Sequence, residues 1–175
     1  MTSAADSNPR IYVACLAAYN SGYLHGAWID ADQDADEIRD EIAAMLARSP
    51  IEDAEEYAIH DYEGFEGVSL HEYAGIDTVA RMAAFIAEHG ELGAGLLEQF
   101  GGDMDQAEST LQDCYHGQFA SLADYMEELT TESVTITEAL RHYIDWDAMA
   151  RDAEMGGDLF TIETAHEAVH VFSSR

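Results

Sequence analysis

Lysine is absent from this chain of 175 residues, and its seven basic residues are all arginine. No basic stretch offsets the thirty-six acidic ones, so the formal charge at pH 7 is −29. A chain so charged repels nucleic acid and acidic membranes and is attracted to large basic surfaces. Proline occurs only at Pro9 and Pro50, and no low-complexity tract is present. The two cysteines, Cys15 and Cys114, lie 99 residues apart without a CxxC pair. They suit reduced thiols packed in apolar surroundings and a cytoplasmic location better than a disulfide framework. No apolar run approaches the roughly 18 residues of a membrane span, and residues 1–8 are polar. Neither a signal peptide nor a membrane partner is expected.

Acidity often means disorder, but disordered acidic segments are poor in apolar and aromatic residues. This chain is 47% hydrophobic and 10% aromatic, enough to bury a core. Residues 11–16 are apolar and β-branched, Tyr19-Asn20-Ser21-Gly22 offers turn chemistry, and residues 23–29 resemble a second strand. Residues 30–48 predict a helix with Ile38, Ile42, Met45 and Leu46 on one face, stopped at Ser49-Pro50. Residues 56–62 alternate as a third strand. Ile76, Val79, Met82, Ala83 and Ile86 repeat at helical spacing, His89-Gly90 interrupts, and Leu92, Leu96, Leu97 and Phe100 resume. Further helices are predicted at 104–115, 122–131 and 137–155, the last broken near Asp145. A hairpin of residues 159–163 and 168–172 closes the chain. The fold class is α+β. Glycine-bounded breaks divide it into an N-terminal α+β subdomain (9–66), a central helical subdomain (67–102) and a C-terminal α+β subdomain (103–175).

Two spacings suggest metal chemistry. His166-Glu167-Ala168-Val169-His170 spells HExxH, which forms a zinc site only on a helix and with a third ligand. Here it falls in the closing hairpin, where positions i and i+4 are about 13 Å apart. Asp30, Asp32, Asp34 and Glu41 match the carboxylates of an EF-hand loop, but Ala35 replaces the glycine needed at the sixth position. No metal and no cofactor is expected. Catalysis lacks a foothold too: no GxSxG is present, and no histidine has a recognisable catalytic context. GELGAGL (residues 90–96) has no strand before it and no Lys-Ser/Thr after it, so it suits an interhelical joint.

The charges themselves are the pattern. Asp30, Asp32, Asp34, Asp36, Glu37, Asp40 and Glu41 form one run, and Glu52, Asp53, Glu55, Glu56, Asp61, Glu63 and Glu66 a second. Glu88, Glu91, Glu98, Asp103, Asp105, Glu108 and Asp113 continue through the middle. Asp36 with Asp40, and Glu37 with Glu41, are like-charge helical pairs, each unfavourable by about 0.2–0.5 kcal/mol. Stability alone would place a cation at one member of each pair. Twenty-nine charges at the duplex density of one per about 1.7 Å would cover about 49 Å, or 14–15 base pairs. A compact chain of this length is only about 40 Å across. Linear presentation at that density calls for an elongated chain with its subdomains in a row.

Residues 11–16 (IYVACL), Tyr19-Asn20, Gly22 and LHGAWIDA (24–31) resemble the opening of the ArdA antirestriction family. EEYAIHDYEGF (55–65) is similar to a second hallmark stretch, and similarity continues through HGELGAGLLEQFGG (89–102), YIDWDAMARD (143–152) and GDLFTIETA (157–165). Cys15 and Cys114 stand where other small or polar residues are expected. The resemblance implies a non-enzymatic protein of mobile genetic elements, an elongated three-subdomain homodimer that imitates bent B-form DNA. It would occupy the DNA groove of type I restriction–modification enzymes, against their methyltransferase and specificity subunits, with the carboxylates named above standing in for phosphates. It also implies a dimer-associated antirestriction segment, placed at residues 112–128 with Tyr115, Phe119, Leu122, Tyr125 and Met126. Composition by itself leaves a halophilic protein or a divalent-cation binder open.

Overall fold

The computed structural model describes residues 8–174. The polar stretch at residues 1–7 and the final Arg175 lie outside the described residues. Seven helices and two three-stranded antiparallel sheets occur among them, a mixed α+β fold. The chain divides into two compact units, one reaching Ala94 and the other starting at Gly95. That division passes through the expected central subdomain, residues 67–102.

In the first unit, β1 (Arg10–Cys15) is the middle strand, flanked by β2 (Gly26–Asp30) and β3 (Tyr57–Glu63) in the order β2-β1-β3. Ile11 lies opposite Ile29 on one side and Tyr62 on the other, and a bulge between Tyr12 and Val13 shifts the β3 register. α2 (Ala35–Ala47) presents Ile38, Ile42 and Met45 as one buried stripe and packs on β2 and β1. With Ile11, Val13, Ile29, Phe65 and Val79 these residues form the core. α3 (Ile76–Gln99) carries the expected interruption: Gly90, at φ 58 and ψ −139, is non-helical. Only glycine adopts that pair of angles without strain.

Two expectations for this unit are corrected. The β1–β2 link is no short hairpin turn: residues 16–20 form a helical turn, α1 (Leu16–Asn20), and Tyr23, Leu24 and His25 precede the strand. Their apolar character mimics a strand, yet Tyr23 and Leu24 are exposed. Residues 30–34 also lie outside the helix, folded by local bonds. Asp32 N–H donates to Asp30 Oδ1 (3.0 Å), and Gln33 Nε2 donates to Asp30 O and to Glu41 Oε1 (both 2.8 Å).

Gly26 sits where β1 and β2 leave no room for a side chain. A Cβ there would stand 2.5 Å from Val13 O and 2.7 Å from the Tyr12 hydroxyl. Backbone oxygen cannot yield without moving β1 from β2. Gly26→Ala should therefore lower unfolding stability by about 1–3 kcal/mol, read as an earlier midpoint in urea.

The second unit holds α4 (Met104–Asp113), β4 (Tyr115–Phe119), α5 (Leu122–Ser133), α6 (Glu138–Arg141), α7 (Trp146–Met155), β5 (Leu159–Ala165) and β6 (Ala168–Ser173). Its sheet runs β4-β6-β5. Side-chain caps start three helices: Asp103 accepts from Gln106 N–H, Ser121 from Asp124 N–H and Asp145 from Ala148 N–H. The Asp145 cap accounts for the expected break. α6 is only four residues long, so the predicted helix over 137–155 shrinks to α7 and this short turn. β4 is the element that the sequence pattern misses, and the helix predicted at 104–115 ends at Asp113 to admit it.

A candidate anionic interface

Carboxylates resist burial because taking an unpaired charge out of water is expensive. None of the thirty-five described here is buried, and only Glu108 and Glu127 are half-buried. Twenty of the twenty-one acidic positions singled out from the sequence are exposed, Glu108 being the twenty-first.

Their placement follows the elements. Asp30, Asp32 and Asp34 lie on the turn before α2, while Asp36, Glu37, Asp40 and Glu41 line its first half. The positive end of the helix dipole favours carboxylates there, which offsets part of their mutual repulsion. The second half of α2 exposes Ala43, Ala44 and Ala47 and no acid. Glu52, Asp53, Glu55 and Glu56 precede β3, which carries Asp61 and Glu63, and Glu66 follows it. Glu88 and Glu91 flank the Gly90 kink, and Glu98 lies near the end of α3. Asp103, Asp105, Glu108 and Asp113 belong to the cap and body of α4.

Cations are drawn into this surface. Arg10 donates from Nε to Glu63 Oε2 at 2.9 Å and from Nη2 at 2.6 Å, with its guanidinium 4.7 Å from the centre of the Trp28 ring. Arg39 bridges Asp36, at 3.0 Å, and Asp77. The hydrogen bond to Asp77 is the main cause that raises the Arg39 pKa above its ordinary value.

The five residues expected in the dimer-associated segment all lie in the second unit. Leu122 and Tyr125 are buried with Ala150 and Val171, and Phe119 and Met126 pack against that cluster. Tyr115 stacks on Phe172 with ring centres 5.0 Å apart. Among the exposed apolar residues of this unit are Val134, Leu140 and Tyr143.

HExxH is split between a turn and a strand. His166 is 94% exposed in its side chain, in the turn after β5, whereas His170 is buried in β6. Among the described residues no group of three or more His, Cys, Asp or Glu stands close enough to hold a metal ion. Nor is any helix among them long and apolar enough to cross a membrane.

His170 instead joins a small polar chain. Its Nδ1 is 2.7 Å from the Tyr115 hydroxyl and its Nε2 is 3.1 Å from Thr164 Oγ1. Burial lowers the His170 pKa below the usual imidazole value and raises that of Tyr115. As pH falls, the unfolded chain binds this proton first, so the His170 share of stability is present above about pH 6.5 and lost below it. Thermal midpoints at pH 7 and pH 5.5 should therefore differ less in His170→Gln than in the wild type.

The chain matches the family model for antirestriction protein (ArdA) over residues 11–168. A search of curated proteins returns no match.

Proposed function

The chain belongs to the ArdA antirestriction family, and from that premise we propose that it acts as a DNA mimic, occupying the DNA groove of type I restriction–modification enzymes. The observation that carries this reading is the exposure of the carboxylates, with none of the described thirty-five buried.

Local density supports it. From Asp36 to Glu41 a helix rises about 7.5 Å. Four carboxylates and Arg39 share that length, a net −3 at about 2.5 Å per charge, against about 1.7 Å in duplex DNA. A basic groove built for phosphates meets comparable charge here. The protein performs no chemistry in this account and needs no cofactor or metal. It inhibits by occupying the groove, in the cytoplasm where restriction enzymes work, against their methyltransferase and specificity subunits. Pairing of two chains would lengthen the anionic track and belongs to the same proposal.

Titration into a type I methyltransferase holding a fluorescent duplex tests the mechanism. The duplex should be released stoichiometrically, with apparent affinity falling as salt rises. Saturable binding that leaves the duplex in place would refute competition while leaving the family assignment intact.

A further inference from the structure

Not every apolar side chain of the first unit is inside it. In the link between β1 and β2, Tyr19 is 53% exposed, Tyr23 55% and Leu24 92%. The projection is built rather than loose. Gly22 N–H donates to Tyr19 O at 3.1 Å, and Tyr23 N–H donates to Ala18 O at 2.9 Å. The Tyr19 ring meets the edge of His60 at 4.9 Å between centres, and His60 Nε2 lies 3.8 Å from Glu72 Oε1. Leu16 N–H donates to Glu56 O at 3.0 Å, which seats α1 beside the acidic run preceding β3. The result is an apolar tip beside the exposed Glu56 and, through His60, the exposed Glu72.

We propose that this tip is an apolar anchor, seated in the same basic partner that the carboxylates engage and supplying the salt-independent part of the affinity. The inference rests on the DNA-mimic reading. Charge complementarity selects the occupant. The acidic rim repels an anionic membrane, whereas it attracts a basic protein surface. Burial of the tip against that surface removes from water apolar area that the folded unit leaves exposed. Tyrosine suits the task, with an apolar ring and a hydroxyl that tolerates a wet interface. A polyanion without such anchors would be drawn to any basic groove, whereas a few well-seated aromatic residues distinguish one groove from another.

The test separates charge from apolar contact. Affinity for a purified type I methyltransferase is measured between about 50 and 400 mM salt, where the slope of log K against log salt reports ionic contacts. The double variant Tyr23→Ser/Leu24→Ser leaves every charge in place. It should bind about 30-fold more weakly at every salt, the loss of a hot spot, with an unchanged slope. Its binding to polylysine, which offers charge alone, should match the wild type. A variant curve that superimposes on the wild type overturns the anchor and leaves the groove reading standing. A wild type without salt dependence sinks both. Self-association of the wild type in sedimentation that the variant lacks would assign the tip to a second copy and overturn the proposal. Should the double variant melt early, Leu24→Ser alone decides, because that side chain takes no part in the core.

Discussion

Converting Asp36, Glu37, Asp40 and Glu41 together to their amides should weaken binding to a type I methyltransferase about a hundredfold at low salt. Each exposed ionic contact is worth at most a few-fold in affinity, and four such losses compound to that order. The loss should shrink as salt rises, because screening removes the same interactions from the wild type. Stability should change little, because opposing terms meet in one helix. Removing the like-charge pairs favours α2, whereas removing carboxylates from its first turn and breaking the Arg39–Asp36 pair disfavours it. A single change such as Asp34→Asn should cost no more than a few-fold. Equilibrium titrations of the quadruple and single variants, with melting curves beside them, check both parts. A single amide that abolished binding in a well-folded protein would replace the distributed surface with a discrete hot spot.

Phe172→Ala should be the most damaging substitution to the second unit. Phe172 is fully buried on β6 and stacks on Phe160 at 5.1 Å and on Tyr115 at 5.0 Å, and Phe160 in turn meets Phe100 edge-on at 6.0 Å. Removal of the ring takes the centre from this aromatic row and leaves a cavity on the middle strand of the sheet. The expected loss is about 3–5 kcal/mol, a large part of the roughly 5–15 kcal/mol that holds a domain together. A fall in thermal midpoint of about 10 °C or more corresponds to it. Circular dichroism melts measure the fall directly. Phe172→Leu, which keeps most of the volume, should cost much less. A loss below about 1 kcal/mol for the alanine variant would mean that the sheet closes over the gap.

Local patterning made much of the fold legible. The stripe Ile38, Ile42 and Met45 defined α2, the interruption at Gly90 appeared within α3, and the break at Asp145 became the cap of α7. The closing hairpin is present as β5 and β6, so the histidines of the HExxH spelling lie on a turn and a strand, with no shared helical face. β4 was not legible because its identity is not local. Tyr115-His116-Gly117-Gln118-Phe119 holds a glycine at φ 116 and a register shift, features that weaken a strand's own signal. It becomes a strand by pairing with β6, where Tyr115 lies opposite Phe172, a partner 57 residues away. The late start of β2 was hidden for the opposite reason. Tyr23 and Leu24 have the apolar look of a strand but stand in water.

The candidate interface was visible in composition, since exposed carboxylates follow from their number and from the cost of burying them. The placement of apolar residues was less visible. Periodicity recognised α5 without revealing that Leu122 and Tyr125 face their own core. Sequence likewise could not separate the exposed Tyr23 and Leu24 from residues of a buried strand.

A structure of the protein bound to a type I methyltransferase would test the central claim most directly. The expected result places the acidic turn and first half of α2 in the groove that holds duplex in the DNA-bound enzyme, with carboxylates against the arginines and lysines that grip phosphates. Binding to a face of the enzyme remote from that groove, with the duplex path left open, would contradict it.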